Sequence, residues 1–233
     1  MRCMDAPAES ATLVLVHGAW SGSWVWQRVL PLLAERGVGA RAVDLPSCGQ
    51  DTEALTDLRG DEAAVRAELD RVDGDAVLVG HSYGGMVITG AAAGHDRVRR
   101  LVYLCAFMPA EGESLLGMLG GEVPGFWRLR DDLIVYPEFP GPPPELDAEA
   151  QDLLESRRGL QPLACYTQAP AAIAWRTIPS TYVVCTNDLG LPTEFQRTMA
   201  PRATETVELP TGHLLQLERP ELTADLLARL ARG

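Results

Sequence analysis

Short apolar runs alternate with longer amphipathic stretches along much of the chain. Most of these runs are nearly continuous in apolar residues, as expected for strands that are buried on both faces of a parallel sheet. The last run alternates apolar and polar positions instead, which is typical of an edge strand. The predicted strands are Thr12–Val16, Ala40–Val43, Ala76–Val79, Arg100–Leu104, Thr181–Cys185 and Thr204–Leu209.

Helical patterns lie between these runs. In the clearest one, near the end of the chain, leucines recur on one stripe after Pro220, a residue that suits the first turn of a helix. The predicted helices are Trp24–Arg36, Asp61–Arg71, Tyr83–Gly94, Pro192–Met199 and Pro220–Leu230. Regular alternation of strands and helices predicts an α/β fold, with a six-stranded, mostly parallel sheet and helices on both faces.

The stretch from Pro109 to Pro179 breaks this alternation. It shows no strand pattern, and it holds 10 of the 17 prolines. Helices are predicted there only over Glu145–Arg158 and Ala169–Arg176. A structureless connection of this length is unusual inside a compact domain, so we expect residues 109–179 to form an inserted cap over a site. Residues 1–233 are then one domain that contains this cap.

Composition narrows the classes of partner. The chain has 233 residues, with 32 acidic residues against 20 basic ones and a formal charge of −12. This balance disfavours nucleic acids and anionic membranes as partners. No apolar run is long enough to cross a bilayer, and the first ten residues lack the apolar core of a signal peptide, so we expect a cytoplasmic protein. The sequence leaves a homodimer open.

The lysine content and the cysteine spacing of the chain exclude several kinds of catalytic and metal site. All 20 residues of the Lys+Arg count are arginines, which excludes lysine-based chemistry such as a Schiff base. The five cysteines are scattered and form no C-x-x-C pair. This spacing fits neither a disulfide framework nor a zinc site. We therefore expect free, buried thiols, and the sequence implies neither a metal nor another cofactor.

The strongest chemical signal is the pentapeptide Gly80-His-Ser82-Tyr-Gly84. It directly follows a predicted strand and opens the next predicted helix, which is the context of a nucleophile elbow. A sharp strand-to-helix turn needs small residues at both ends, and it lifts the Ser82 hydroxyl above the sheet. The start of the helix offers the Tyr83 N–H to a developing oxyanion.

A serine nucleophile needs a general base, and the chain has four histidines. Serine hydrolases with this elbow place first the acid and then the histidine after the serine along the chain. His213 follows the last predicted strand and fits the base, and Asp188 precedes the Pro192 helix and fits the acid that orients it. Glu194 is a weaker candidate for the acid. The other histidines are expected to bond a loop, to pack between helix and sheet, and to lie on the surface: His17, His81 and His95, respectively.

The second oxyanion donor is expected in the loop after the first strand, where Gly18 permits a tight turn and Ala19 offers its N–H. Four stretches then carry a family resemblance: Val14–Trp26, Gly80–Met86, Tyr182–Asp188 with Leu191–Arg197, and Gly212–Pro220. Together they resemble the methylesterase and hydroxynitrile lyase family of the α/β hydrolases, which includes plant salicylate and jasmonate methyl esterases. The resemblance covers nearly the whole chain outside residues 109–179. It implies an α/β-hydrolase fold, a triad of Ser82, Asp188 and His213, and oxyanion donors at Ala19 and Tyr83.

Two departures from the family pattern favour its esterase branch. The cyanohydrin-cleaving lyases of the family carry a lysine directly after the catalytic histidine, and a threonine directly after the histidine that ends the first strand. This chain has Leu214 and Gly18 at those positions. Without that cation little stabilises a cyanide leaving group, so ester hydrolysis is favoured over lyase chemistry.

The predicted reaction is cleavage of a carboxylic ester, a methyl or aryl ester of a small hydrophobic or aromatic acid, through an acyl-enzyme. An apolar, aromatic-lined pocket suits such a substrate. Candidate pocket residues are Trp20, Met108, Phe126, Trp127, Tyr136, Phe139 and Tyr166. Two alternatives stay open. One is a biosynthetic enzyme that uses the same pocket as a cyclase, a C–C bond hydrolase, a lyase or a cofactor-free oxidase, and the other is a ligand receptor built on a hydrolase scaffold.

Overall fold

The structure, a computed structural model, describes residues 10–130, 134–138 and 143–233, without the side chains of Ile134 and Tyr136. Its strands are β1 (Thr12–Val16), β2 (Ala40–Val43), β3 (Ala76–His81), β4 (Val98–Leu104), β5 (Trp127–Arg130), β6 (Ile134–Pro137), β7 (Gln161–Pro162), β8 (Ser180–Cys185) and β9 (Glu205–Leu209). Within the described ranges, the central sheet has six parallel strands in the order β2-β1-β3-β4-β8-β9. This confirms the predicted sheet, and β9 is the edge strand that its alternating pattern indicated.

Helices cover both faces of this sheet. The α-helices are α1 (Val29–Glu35), α2 (Leu58–Leu69), α3 (Gly84–Ala91), α4 (Leu115–Met118), α5 (Ala148–Arg157), α6 (Ala164–Thr167), α7 (Thr193–Met199), α8 (Leu215–Glu218) and α9 (Pro220–Ala231). In β1, Leu13 and Leu15 belong to the core beneath α1 and α9, whereas Val14 and Val16 belong to the core beneath α2 and α3. Successive side chains of a strand point to opposite faces, so a strand buried on both faces reads as a continuous apolar run.

The predicted helices differ from the observed ones mainly at their ends. The pattern over 24–36 is divided into a 3₁₀ turn at Ser23–Trp26 and the shorter helix α1. Helix α2 begins earlier than predicted because the Asp57 carboxylate caps it, accepting from the N–H groups of Arg59 and Gly60. None of the helices in the described ranges has both the length and the apolar composition that a bilayer span requires.

The segment between β4 and β8 that spans residues 109–179, called the inserted segment below, is more ordered than its sequence indicated. The prediction of no strands there is wrong, because β5, β6 and β7 form a small antiparallel sheet. Helices α4 and α6 were also not predicted, and the helix predicted at 169–176 is a 3₁₀ turn over Ala174–Arg176. Prolines end β6 and β7, positions where a residue without an N–H is tolerated.

The thiols agree with the sequence where the structure describes them. Cys48, Cys105, Cys165 and Cys185 are free cysteines, and all but Cys48 are fully buried. Cys3 lies outside the described residues. The prediction of free thiols is therefore confirmed for these four positions.

Parallel strands bring their carboxyl ends to one edge of the sheet, and α/β proteins place their sites there. The loop after β1, the turn after β3 and the loop after β8 all leave the sheet at this edge. Residues that are distant in the sequence, such as Ala19, Ser82 and Asp188, are thereby brought to the same side of the molecule.

Candidate active site

Ser82 lies in the turn between β3 and α3 and has a φ of +52°. A left-handed backbone strains a residue with a Cβ, and such strain is concentrated at functional sites. Glycines are required on both sides of Ser82, because a side chain at either position would clash with the backbone. A Cβ on Gly80 would lie 2.6 Å from the carbonyl oxygen of Gly84, and a Cβ on Gly84 would lie 2.7 Å from that of His17. The turn thus has the geometry that the Gly-x-Ser-x-Gly spacing predicted.

Hydrogen bonds hold Ser82 in this strained conformation. Its carbonyl oxygen accepts from the N–H of Gly85 at 3.0 Å and from the N–H of Phe107 at 3.1 Å. Its own N–H donates to the carbonyl oxygen of Leu104 at 3.2 Å. Helix α3 and the chain that follows β4 therefore fix the serine from two sides, which keeps its side chain at the edge of the sheet.

His213 lies in the loop after β9, and its Nδ1 donates to Oδ2 of Asp188 at 2.7 Å. The side chain of Asp188 has no exposed surface, whereas that of His213 is 23% exposed. An imidazole that donates from Nδ1 to a buried carboxylate keeps the lone pair of Nε2 available to accept a proton. His213 and Ser82 both line one cavity of the structure.

Four donors surround the Asp188 carboxylate. Oδ1 accepts from the backbone N–H groups of Gly190 at 2.8 Å and Leu191 at 2.7 Å. Oδ2 accepts from His213 and, at 2.9 Å, from Nε2 of Gln196. Asp188 is therefore held as an ionised acceptor that is paired with the imidazole. The alternative acid does not compete, because Glu194 is 85% exposed and pairs with an arginine.

Gln196, which the sequence did not single out, supports Asp188 from α7. It is fully buried, and its Oε1 accepts from the N–H of Cys185 at 2.9 Å. Its Nε2 donates to the carbonyl oxygen of Leu191 at 2.7 Å as well as to Asp188. The loop between β8 and α7 is therefore tied together around the carboxylate. In the sequence, Gln196 is marked only by its position eight residues after Asp188, on a predicted helix, and by its place in the stretch Leu191–Arg197 that carries the family resemblance.

The pKa values of this pair shift in the directions that an ion pair produces. Burial acts to lower the pKa of His213, but the charge of Asp188 and the hydrogen bond to it outweigh burial and raise that pKa. Burial acts to raise the pKa of Asp188, but His213 and the N–H donors of its loop outweigh burial and lower that pKa. His213 is therefore more basic than an ordinary histidine, as a general base near neutral pH should be.

The other histidines make structural contacts. His17 donates from Nδ1 to the carbonyl oxygen of Gly18 at 2.8 Å, and its Nε2 accepts from the N–H of Leu45, so it bonds loops as predicted. His81 is buried, and its Nε2 donates to the carbonyl oxygen of His213 at 2.7 Å. His95 corrects a prediction: its side chain is only 8% exposed and pairs with an aspartate.

The predicted oxyanion donors lie on the wall of the same cavity. Ala19 and Tyr83 both line it, and within the described ranges neither N–H donates to a backbone carbonyl. Gly18 lets the two turns approach each other, because a Cβ there would lie 3.0 Å from Cβ of Ser82. These two backbone amides, on the wall that also carries Ser82, are candidates for oxyanion stabilisation.

A largely apolar cavity of about 1230 Å³ opens over these residues. Four of the predicted pocket residues line it: Trp20, Phe126, Trp127 and Tyr166. Their rings pack on one another, with the Trp127 and Tyr166 centroids 4.5 Å apart and the Trp20 and Trp127 centroids 5.5 Å apart. Further apolar residues that the sequence did not single out also line it: Phe107, Leu115, Met118, Leu189, Leu191 and Phe195.

Of the other three predicted pocket residues, the structure describes the side chain of one, and that side chain does not line this wall. Met108 corrects the prediction: its side chain is fully buried in the core, where its N–H faces the sulfur of Met199. Phe139 and the side chain of Tyr136 lie outside the described residues. Phe107, directly before it, lines the cavity, whereas the Met108 side chain packs in the core.

One group of side chains in the described ranges has the composition of a metal site. The ligand atoms of His81, Cys105 and His213 lie within 4.8 Å of one another. Hydrogen bonds already engage these groups, however. Nδ1 of His213 bonds Asp188, and the Cys105 thiol and Nε2 of His81 both face the carbonyl oxygen of His213. Their proximity is therefore explained by the packing around the imidazole.

Comparisons with known proteins identify the family and the fold of the chain. The model of the alpha/beta hydrolase family matches residues 13–226. Salicylic acid-binding protein 2 of Nicotiana tabacum is 30% identical over 94% of this chain and 96% of its own length. The carbendazim-hydrolysing esterase of a Nocardioides species is 41% identical, over 49% of each chain.

A solved structure also supports the fold. The pyrethroid hydrolase from Sphingobium faniae superposes with a TM-score of 0.78 over 96% of this chain and 98% of its own, at 24% identity. At 24% identity this similarity supports the fold alone. That fold agrees with the strand order of the central sheet. Methylesterase 8 of Arabidopsis thaliana is 29% identical over 94% of this chain. The chain therefore belongs to the α/β hydrolase family, in the esterase branch that includes the plant methylesterases.

Proposed function

We propose that the protein hydrolyses a carboxylic ester of a small hydrophobic or aromatic acid through an acyl-enzyme on Ser82. The hydrogen bond of 2.7 Å between His213 and Asp188, on the wall that also carries the strained Ser82, is the observation that carries the proposal. The esterases among its relatives support ester hydrolysis as the general reaction. The inserted segment acts as the cap that roofs the cavity.

In this mechanism the Ser82 hydroxyl attacks the ester carbonyl carbon while His213 takes its proton on Nε2. Asp188 keeps the imidazole in the required tautomer and stabilises the imidazolium. The N–H groups of Ala19 and Tyr83 donate to the oxyanion of the tetrahedral intermediate. The C–O bond to the alcohol then breaks, and His213 returns the proton to the leaving oxygen. Water attacks the acyl-enzyme with the same base, and Ser82 regains its proton as the acid leaves.

The cavity supports an apolar substrate. Aromatic and aliphatic side chains form most of its wall, and two of the few charged residues on it are the acids Glu122 and Glu145. Among the described residues the wall also carries one cation, Arg158, so two carboxylates face one guanidinium, and neither this balance nor the formal charge of −12 favours an anionic substrate. Its volume of about 1230 Å³ also exceeds the upper end of ordinary ligand pockets, which is about 1,000 Å³. The wall therefore leaves room for acyl groups larger than acetyl.

Activity on a series of p-nitrophenyl esters tests this proposal. We expect kcat/KM to rise by about fourfold for each methylene from acetate to hexanoate, because each buried CH₂ contributes about 0.8 kcal/mol. The benzoate ester should also exceed the acetate ester. Release of acid and alcohol in equal amounts is measured by chromatography, against the same esters without enzyme.

Two results would contradict the proposal. If none of the esters, including methyl benzoate and methyl salicylate, is hydrolysed above the rate in buffer, ester hydrolysis through this site is excluded. If acetate is the best substrate and rates fall with every added methylene, the apolar cavity does not bind the acyl group.

The pH dependence of kcat/KM follows from the raised pKa of His213. The imidazole must be neutral to accept the serine proton, so activity should be low when it is protonated and should rise as the pH passes its pKa. Because that pKa is raised, the midpoint should lie above the ordinary histidine value of about 6.5. A pH–rate profile measures it, and a midpoint below 6 would contradict the assignment of His213 as a base paired with an ionised Asp188.

A further inference from the structure

Gln161, at the start of β7 in the inserted segment, is fully buried and bonds in two directions. Its Oε1 accepts from the hydroxyl of Tyr166 at 2.7 Å and, at a longer 3.4 Å, from the backbone N–H of Trp20. Its Nε2 donates to Oγ of Ser47 at 2.8 Å. Both ends of this amide therefore contact residues outside the inserted segment.

The first direction leads to the loop that carries one proposed oxyanion donor. Trp20 directly follows Ala19 and has a left-handed φ of +57°, which strains a residue other than glycine. Its carbonyl oxygen accepts from the N–H of Gly159 at 2.8 Å. The N–H and the carbonyl of Trp20 thus both bond to the inserted segment, at positions 159 and 161. A strained conformation persists only where its surroundings hold it.

The second direction leads to the other proposed donor. Oγ of Ser47 donates to Oδ2 of Asp61 at 2.6 Å, and the N–H of Ser47 donates to Oδ1 at 3.0 Å. The phenol of Tyr83 donates to the same Oδ2 at 2.7 Å. Ser47, Asp61 and Tyr83 are all fully buried. A continuous chain of hydrogen bonds therefore runs from the amide of Gln161 to the residue that supplies the second N–H.

The donor and acceptor roles along this chain of hydrogen bonds are mutually consistent. Gln161 donates to Ser47, Ser47 donates to Asp61, and Tyr83 donates to Asp61 from the other side. Burial raises the pKa of Asp61 to about 6 against the hydrogen bonds from Ser47 and Tyr83, so the carboxylate is ionised at neutral pH. A fully satisfied buried network is rigid, and it is costly to leave any one of its members without a partner.

We propose that Gln161 is a positioning residue for the oxyanion hole. It holds Trp20 directly, and it holds Tyr83 through the hydrogen-bond chain just described. The positions of both amide donors then depend on how the inserted segment packs against the rest of the protein. The segment therefore contributes to transition-state stabilisation and also roofs the cavity. This inference rests on the proposed function.

The test compares two glutamine variants of the whole chain. Gln161→Met removes the hydrogen bonds from both ends of the side-chain amide and keeps a side chain of similar length. Gln168→Met is the matched control, because Gln168 also joins the inserted segment to the α2 region, donating to Asp57 at 2.8 Å, but reaches neither oxyanion turn. We expect Gln161→Met to lower kcat by about tenfold to a hundredfold with KM changed by less than about twofold. Gln168→Met should leave kcat within about twofold of the wild type.

Affinity for a trifluoromethyl ketone distinguishes loss of positioning in the oxyanion hole from a general loss of ligand binding. Such a ketone forms a tetrahedral oxyanion with a serine nucleophile, whereas the free acid of the same acyl group does not. Affinity for the ketone should fall in Gln161→Met by the same factor as kcat, and affinity for the acid should stay unchanged. Asp61→Asn turns an NH₂ group toward one of the donors of Ser47 or Tyr83 and so disrupts the chain between these two residues. It should show the same pattern, which keeps the test open if Gln161→Met does not fold.

The outcomes separate this inference from the proposed function. If the folded Gln161→Met and Asp61→Asn variants match Gln168→Met in kcat and in ketone affinity, the positioning role is overturned. If ketone and acid affinities fall together, the loss is one of binding and the role is likewise overturned. If the wild type neither hydrolyses the ester nor binds the ketone, the proposed function itself has failed.

Discussion

Replacing Ser82 with alanine is expected to lower kcat for ester hydrolysis by a factor on the order of 10⁴ to 10⁶. The variant keeps the cavity and the two backbone amides but has no oxygen to form the acyl-enzyme. Initial rates on the best p-nitrophenyl ester measure the loss. Stability should change little, because alanine at the same φ of +52° carries the same Cβ strain as serine.

The control for this variant is Ser156→Ala. Ser156 lies on α5 and is exposed, and among the described residues its hydroxyl donates to the carbonyl oxygen of Leu153 in the same helix. It should retain wild-type kcat and KM. If purified Ser82→Ala hydrolysed esters at the wild-type rate, Ser82 would not be the nucleophile, and the cavity would have to perform its chemistry with another group.

Replacing Asp188 with asparagine is expected to lower kcat by a factor on the order of 10⁴ with little change in KM. All four groups around the carboxylate donate hydrogen bonds, so an asparagine whose oxygen faces Gly190 and Leu191 turns its NH₂ toward His213. Nδ1 of the imidazole must then accept, which moves the proton to Nε2. An imidazole protonated on Nε2 has no lone pair there for the serine proton.

The same variant should also move the pH profile. The charge of Asp188 is what raises the pKa of His213 against burial, so the remaining activity of Asp188→Asn should rise at a lower pH than that of the wild type. Glu194→Gln is the matched control, since this exposed carboxylate has no contact with the imidazole. A profile that does not move in Asp188→Asn, with kcat near the wild-type value, would exclude Asp188 as the partner of the base.

The central sheet and the principal side chains of the candidate site could be predicted because their signals are local. The five residues around Ser82 contain the whole turn, including the two glycines that it needs. Asp188 and His213 each follow a buried strand, and parallel neighbours bring their carboxyl ends together. The order of elements therefore indicates that the two side chains lie close together, and the structure places Nδ1 of His213 2.7 Å from Oδ2 of Asp188.

The contacts of the inserted segment could not be predicted in this way. Strand β5 reads Trp-Arg-Leu-Arg, an alternation of four residues that is too short to identify a strand by itself, and it pairs with β6. Gln161 donates to a hydroxyl that is 114 positions away in the sequence, and no periodicity encodes that distance. The pocket wall depends on such contacts, which is why Met108 was assigned to it and Phe107, its neighbour, was not.

Covalent trapping of Ser82 tests the proposed mechanism most directly. A serine-directed phosphonate ester is incubated with the purified protein, and the labelled peptide is located by mass spectrometry. We expect one label per chain, on the peptide that contains Ser82, with concurrent loss of esterase activity and no label in Ser82→Ala. Active protein that stays unlabelled, or that carries the label on another residue, would contradict the assignment of Ser82 as the nucleophile.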